Sequence, residues 1–344
     1  MMRTIRLALA ALGVFAGTQV AQLGFAQEII LKVHHPLPPT STAHQRLLTP
    51  WCDKIAAQSK QRIMCQIFPS MQLGGTPPQL YDQVKDGVVD AIWTIPSYSA
   101  GRFPLIEVFE LPFMMRNTEG ASKAVWDYVQ ERAPNEFKDV KLLAFHTHGG
   151  GLLHMVNKPI KQAADLRGVK IRAPTRQTTK MLAALGAAPV GMPVPQVPDA
   201  LAKGVIDGAL LPFEVVPAIK AQELTKFHSE PDASQPTLHT SVFIFAMNKA
   251  KYDALPADLK QVIDANSGSA LSAQMGRIFG EAEITNRKLV PAKSINVIAK
   301  DEIERWKAMT QSVADGWVQE VSSKGADGKA LLARARELIA KYSK

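Results

Sequence analysis

Apolar residues recur along this chain with two periods. Over residues 29–33, 62–68, 88–94, 141–146, 169–172 and 238–247, short apolar runs are bounded by Gly, Pro or polar residues, as buried or half-buried strands are. Between them the apolar positions fall three and four apart. Leu47, Leu48, Trp51 and Ile55 form one such stripe, with Pro50 predicted to kink the helix. Others run over 79–86, over 119–131 with Val125, Trp126 and Val129 inward, and over 175–185 with Met181, Leu182 and Leu185. A short helix over 161–167 ends at Gly168. Beyond Leu255-Pro256 the pattern is almost wholly helical, over 257–266, 270–288, 300–321 and 330–342. The third of these carries Ile303, Trp306, Met309, Val313 and Trp317 as its apolar stripe. Strands alternating with helices, then a helical tail, predict an α/β protein with helical buttressing.

One segment occurs twice. Residues 74–90 and 191–207 share Gly, Pro, Gln, Asp, Gly, Val and Asp in register, seven identities in seventeen positions at an offset of 117. Both copies read as a helix, a Gly just past its C-terminus, and a buried strand. A single repeat so far apart suits two similar α/β lobes with a cleft between them, and clefts between domains are where small ligands bind. The alternative is a chance echo between two ordinary βαβ units.

The N-terminus alters the chain to be folded. Arg3 and Arg6 precede an apolar run over 7–16, and Gly24-Phe25-Ala26 places small residues at a cleavage site. Residues 1–26 therefore read as a signal peptide, cleaved after Ala26 to leave an exported, soluble chain. Loss of Arg3 and Arg6 leaves 38 basic against 31 acidic residues, a net charge of +7. The charges are dispersed, so nucleic acid is not an expected partner and the excess is a mild bias toward anions. Cys52 and Cys65 are the two cysteines. In an oxidising compartment they can close a disulfide, because Cys65 lies in the strand that follows the helix carrying Cys52; two buried thiols are the alternative. The Gly149-Gly150-Gly151 run reads as a crossing between lobes. The expected lobes are 27–149 with 239–279, and 150–238 with 280–344.

Three stretches carry the candidate chemistry. Arg172 ends a strand in a phase opposite Val169 and Ile171, and ligand clefts open at the carboxyl ends of strands in open α/β sheets. Its planar fork matches a carboxylate, although a strand arginine in a surface salt bridge has the same pattern. Trp93 and Tyr98 follow the first repeat copy, and Leu211 and Phe213 follow the second, so the four face one another across the cleft if the lobes are alike. They form apolar, partly aromatic walls, unless Trp93 and Phe213 belong to the lobe cores. His34-His35 and the pair His146, His148 lack a carboxylate at ligand spacing, so no metal site is expected. No Gly-x-Ser-x-Gly, His-Glu-x-x-His, dinucleotide or phosphate-loop signature occurs, so neither catalysis nor a cofactor is expected.

The segment 165–174, Asp-Leu-Arg-Gly-Val-Lys-Ile-Arg-Ala-Pro, is followed by Leu-Gly-Ala-Ala-Pro-Val at 185–190 and Gly-Val-Ile-Asp-Gly at 204–208. With Phe68-Pro69, Gln72-Leu73-Gly74, Leu111-Pro112-Phe113, Met247-Asn248-Lys249 and Leu255-Pro256, this resembles the solute-binding proteins of tripartite ATP-independent periplasmic (TRAP) transporters over essentially the whole mature chain. The resemblance implies two lobes joined by crossing strands, a long helix bracing both, and hinge closure on a ligand. It also implies a periplasmic location and delivery to a permease of two integral membrane subunits. Arg172 falls on the family's carboxylate-binding arginine. Two departures stand out. Leu211 replaces an Asn frequent after the Asp-Gly pair, and Leu152, or a residue close by, stands where sialic-acid binders have a second arginine. Both favour a monocarboxylate with a hydrophobic or aromatic body over a sugar acid or C4-dicarboxylate. A smaller keto or hydroxy acid, or a C4-dicarboxylate, is the alternative, and a periplasmic metal-binding protein or an enzyme the remoter ones. His35, His148 and His239 would supply the remaining polar contacts.

Overall fold

The two copies of the repeat adopt one structure. In the computed structural model, which describes residues 28–343, each copy is a 3-10 turn, a short helix and a strand displaced by the same 117 positions. The first copy gives Pro77–Gln79, Leu80–Lys85 and Ala91–Thr94; the second gives Val194–Gln196, Val197–Ala202 and Gly208–Leu211. Gly87 and Gly204 take φ of 76° and 66°, a left-handed conformation that L side chains disfavour and that ends each helix. Asp90 and Asp207 then make matching clasps. The Asp90 N–H donates to the Lys32 carbonyl while its carboxylate accepts from the Lys32 N–H at 2.8 Å, and Asp207 does the same with Lys170 at 2.9 Å. The identities are thus the residues that tie a helix–turn to the neighbouring strand. The expected signal peptide lies outside the described residues.

In chain order the first half contains β1 (Ile29–His34), α1 (Thr49–Gln58), β2 (Ile63–Phe68), α2 (Leu80–Lys85), β3 (Ala91–Thr94), α3 (Thr118–Arg132) and β4 (Val140–Thr147). Then come β5 (Leu152–Met155), β6 (Lys170–Ala173), α4 (Arg176–Ala184), β7 (Ala188–Gly191), α5 (Val197–Ala202), β8 (Gly208–Leu211), β9 (Phe227–Pro231) and β10 (Val242–Asn248). The tail is α6 (Lys249–Asp253), α7 (Ala257–Ala265), α8 (Ser269–Arg287), β11 (Ile295–Ile298), α9 (Lys300–Ser323) and α10 (Gly328–Tyr342).

The strands form two sheets, ordered β2-β1-β3-β10-β4 and β11-β9-β5-β8-β6-β7. Each has three parallel strands with an antiparallel strand against the third, β10 on β3 and β5 on β8. The chain leaves the first sheet through Gly149–Gly151 into β5 and returns from β9 into β10. Because β10 and β5 are the crossing strands, each sheet is completed by chain from outside its consecutive βαβ run. Pro50 does not kink a continuous helix. It sits in the first turn of α1, just after a separate π-helical turn, Ala43–Leu48.

Two tail helices reach across. α8 lies on α3 so closely that a Cβ on Gly276 would stand 2.2 Å from Ser122 Oγ. From its far half Glu283 accepts hydrogen bonds from the N–H groups of Phe213 and Glu214, at 2.9 and 2.8 Å, beside the second sheet. α9 buries Ile303 and Trp306 in the core of the second sheet, and Val313, Trp317 and Val321 in the core of the first. Met309, expected on its apolar stripe, is 42% exposed, and Thr310 is buried in its place. α10, expected with the second lobe, packs on α3 of the first, with Leu331, Ala335 and Leu338 in the same core as Val125 and Tyr128. Arg334 on Glu131 adds a bidentate pair at 2.8 and 2.9 Å. Among the described residues no helix is long and apolar enough to cross a membrane.

Cys52 on α1 and Cys65 on β2 are joined by a disulfide across thirteen positions of sequence. In the chain-entropy account, closing so short a loop is worth about 3 kcal/mol. The double variant Cys52→Ser, Cys65→Ser is expected to lose about that much in urea unfolding while keeping its fold by circular dichroism; unchanged stability would show that the bridge contributes nothing.

Candidate functional site

The carboxyl ends of β3 and β8 border one cavity between the two sheets. The first sheet contributes Trp93, Thr94 and Ile95 at the end of β3, with Tyr98 beyond it and Ser241 and Phe243 from the crossing strand. The second sheet contributes Arg172 and Pro174 from β6 and Leu210, Leu211 and Pro212 from β8, followed by Glu214 and Val215.

Arg172 is the cation of this enclosure. It is 2% exposed, and its fork is held from the protein side, Nε donating to the Met192 carbonyl and Nη1 to the Leu210 carbonyl, both at 2.9 Å. Burial pulls its pKa down and the nearby Tyr98 hydroxyl opposes that, but a guanidinium remains a cation. No Asp or Glu among the described residues pairs with it. Arg176, four positions on, contrasts sharply. It clamps the buried Glu107 across the lobe boundary at 2.6 and 2.7 Å and Glu320 at 2.8 and 2.9 Å.

The aromatic wall is a stack. Phe243 lies over Trp93 at 4.6 Å and over His146 at 4.7 Å, nearly parallel to both, while the Trp93 indole N–H donates to His146 Nε2 at 2.8 Å. Phe243 is missing from the sequence-based site. Its cue is strand pairing, since β10 lies between β3 and β4, and that pairing is invisible in a linear pattern. Tyr98 accepts the Val194 N–H at 3.3 Å, spanning the two lobes.

The expected site residues divide. Arg172, Trp93, Tyr98, Leu211, His148 and His239 line the cavity; His35 and Phe213 do not. His35 is fully buried behind Trp93, edge-on to its ring and hydrogen-bonded to His44 at 2.9 Å. β8 ends at Leu211, so strand alternation does not extend to Phe213, whose ring packs in the core against His154 and His228. His148 faces the cavity but both its ring nitrogens are engaged, Nδ1–H donating to the Gly149 carbonyl and Nε2 accepting from the Ser241 N–H. His239 is the reverse. It is 1% exposed with neither ring nitrogen paired, and burial drives its pKa well below the usual value, so it is neutral. Its ring fills the space above Gly151, where a Cβ would come within 1.8 Å. The hydroxyls of Thr94 and Ser241 are also buried and unpaired.

A family model described as DctP, bacterial extracellular solute-binding protein, family 7, matches residues 33–320. The chain belongs to this family. Among solved members, a TRAP solute-binding protein from Rhodoferax ferrireducens T118, in complex with copurified benzoate, is 52% identical with a TM-score of 0.90, covering 92% of this chain and 98% of its own. A marine metagenome member described as specific for aromatic acid ligands, in complex with 3-hydroxybenzoate, is 44% identical with a TM-score of 0.89, covering 92% and 100%. A Bordetella bronchiseptica member with bound (R)- and (S)-mandelate is 27% identical with a TM-score of 0.83, covering 91% and 99%. The two-sheet α/β architecture is therefore the fold of the family 7 binding proteins.

Several acids of this family 7 protein are held back from water. Burial raises Glu110 to about 8, with Glu107 adding to it, and raises Glu283 to about 8 and Glu214 and Glu136 to about 7. An acid whose folded pKa exceeds its unfolded value of 4.5 holds a proton the unfolded chain has lost, so its contribution is complete at low pH and disappears as pH rises to about 8. Buried His35, His146 and His148, lowered to about 3, 3 and 4, act oppositely, but only below the ordinary histidine value of 6.5. The melting temperature is therefore expected to fall from about pH 6.5 to about pH 8.5, a window set by the carboxyls. Glu110→Gln, which cannot ionise, should flatten that fall in differential scanning calorimetry; identical slopes in both proteins would show that Glu110 is not a contributor.

Proposed function

We propose that this chain is the periplasmic solute-binding subunit of a TRAP transporter, and that it encloses an aromatic monocarboxylate between its lobes and presents it to the two membrane subunits of the permease. The observation that carries this reading is Arg172, a buried cation with no acid partner, at one end of an apolar cavity. Removing a charge from water costs several kcal/mol unless a counter-charge and hydrogen bonds replace the water. The two carbonyls supply hydrogen bonds but no counter-charge, and a carboxylate ligand brings it. The free side of the fork receives the carboxylate, with the unpaired His239 nitrogens and the Ser241 hydroxyl as its further partners.

The remainder of the cavity supports an aromatic body. Trp93, Phe243, Tyr98 and Leu211 offer ring faces and aliphatic surface, and each Å² of apolar area they cover is worth about 25 cal/mol. Leu152 pairs with Leu211 in the β5–β8 ladder, so the positions where polar relatives would recognise hydroxyls or a second carboxylate are aliphatic. A sugar acid enclosed here would leave hydroxyls unpaired at roughly 1–3 kcal/mol each. The benzoate and 3-hydroxybenzoate bound by the two similar structures support the same choice. In this reading the first lobe is 27–149 with 239–279, the second is built on 150–238, and the lobes separate to admit ligand and close upon it.

Two measurements test the proposal. Arg172→Ala is expected to abolish binding of benzoate in calorimetry, and Arg172→Lys to weaken it by a hundredfold or so, because a point cation does not replace the fork; near-native affinity in either variant overturns the role of Arg172. In a thermal-shift screen of organic acids, benzoate-type acids should stabilise the protein more than succinate, malate or sialic acid. Stabilisation by a C4-dicarboxylate or sugar acid alone would refute the ligand class.

A further inference from the structure

Away from the cavity, the two halves of the molecule meet at a buried charge pair. Glu107 belongs to a 3-10 turn, Ile106–Glu110, of the first lobe and is fully buried. Its carboxylate accepts from Arg176 Nε at 2.6 and 2.7 Å and from Gln177 Nε2 at 2.7 Å. Both donors stand in the first turn of α4, beside the second sheet. Among the described residues, every hydrogen bond this carboxylate accepts therefore comes from the opposite lobe. Arg176 also donates to Glu320 at 2.8 and 2.9 Å, from the end of α9 that packs in the first core.

The pair is mounted firmly on both sides. Glu136 accepts from the N–H groups of Leu105 and Ile106 at 2.7 and 3.2 Å, and the Trp317 indole N–H donates to the Pro104 carbonyl at 2.8 Å. Ile106, Val108 and Phe109 are in the core they share with α3. Across the boundary, Thr175 caps α4 in a capping box with Thr178. The junction from β6 into α4 carries Arg172, the cation of the cavity, at one end and Arg176 at the other. Two rigid mounts joined by a planar fork fit at one separation and one angle, so the contact belongs to the closed arrangement of the lobes. Glu107, Arg176 and Gln177 do not line the cavity.

We propose that Glu107 and Arg176 are positioning residues that latch the cleft shut, forming their pair as the lobes close and setting how long a bound acid is retained. This rests on the reading of the chain as an acid-binding protein that closes on its ligand, and it names the contact that governs release. When the lobes part, Glu107 exchanges Arg176 and Gln177 for water. A contact made in the closed state between protein and protein stabilises that state for every ligand alike, so it slows dissociation without choosing among acids.

The test is the dissociation rate of benzoate and of 3-hydroxybenzoate, by stopped-flow tryptophan fluorescence, in the mature wild-type chain, Glu107→Gln, Arg176→Gln and the double variant. Each single variant is expected to release benzoate about tenfold faster or more, with association changed less than about threefold and the same factor for 3-hydroxybenzoate. The double variant should be no more than about threefold faster than the faster single one, since both changes remove one pair. Melting temperatures without ligand should stay within about 2 °C of wild type, because the open protein does not make the contact. Wild-type release rates in both single variants overturn the proposal, and so do effects that multiply in the double variant. A lowered unliganded melting temperature with unchanged release assigns the pair a purely structural role and overturns it too, as does a factor that differs between the two acids, which would make the pair part of recognition. If Glu107→Gln does not fold, Arg176→Gln decides alone, at a side chain 21% exposed. If benzoate does not bind wild type, the aromatic reading falls, and the same rates measured with whichever of succinate, malate or sialic acid stabilises the protein decide the latch. If wild type binds none of these acids, both fall.

Discussion

A buried guanidinium that no Asp or Glu among the described residues pairs with organises this molecule. Arg172 could not be retained on a buried strand unless its fork were held by backbone carbonyls, and the two that hold it come from different neighbours. Met192 follows β7, and Leu210 is in β8, so the strands flanking β6 on both sides converge on one side chain. In the proposed reading, that charge makes the cavity an anion receptor rather than a gap in the core. Arg176, so near in sequence, shows the other outcome for a cation at the lobe boundary. It already has Glu107 and Glu320, and it joins lobes instead of waiting for a ligand.

Symmetry explains why the cavity lies where it does. Each half of the chain builds the same unit of parallel strands clasped by an Asp, and an antiparallel strand from outside that consecutive run, β10 or β5, closes each unit. The carboxyl ends of β3 and β8 therefore border one cavity, which is the general position of ligand clefts in open α/β sheets. Chemical difference between the halves is superimposed on that likeness. The first supplies aromatic faces through Trp93 and Tyr98; the second supplies the cation and the aliphatic turn at Leu211 and Pro212.

What was legible in the linear sequence was local or repeated. The repeat, the principal helices, Arg172 at a strand end and the aromatic run after β3 all leave marks within a few residues. What was not legible depends on pairing between distant segments. β5, β7, β9 and β11 are four or five residues long and carry no alternation strong enough to mark them. Phe243 joins the wall because β10 inserts beside β3, and His35 drops behind Trp93 because His44 draws it away. His148 resembled a ligand contact, but Gly149 and Ser241 already occupy its nitrogens. α10 was expected with the second lobe, whereas the complementary apolar stripe on α3 decides where it packs.

The long helix α9 has a consequence for how such proteins diversify. Its first turns complete one core with Ile303 and Trp306, and its last turns complete the other with Val313, Trp317 and Val321. A lobe is therefore not a contiguous cassette. Exchange of residues 150–238 with a homologue would transplant the cation, the turn after β8 and Glu214, yet leave them resting on a helix shaped to the recipient's own packing. Recombination within this architecture is constrained by a rod that both halves share. New specificities are reached more readily by point changes around the cavity than by shuffling lobes, and the clefts of relatives would diverge while their helical scaffolds remain alike.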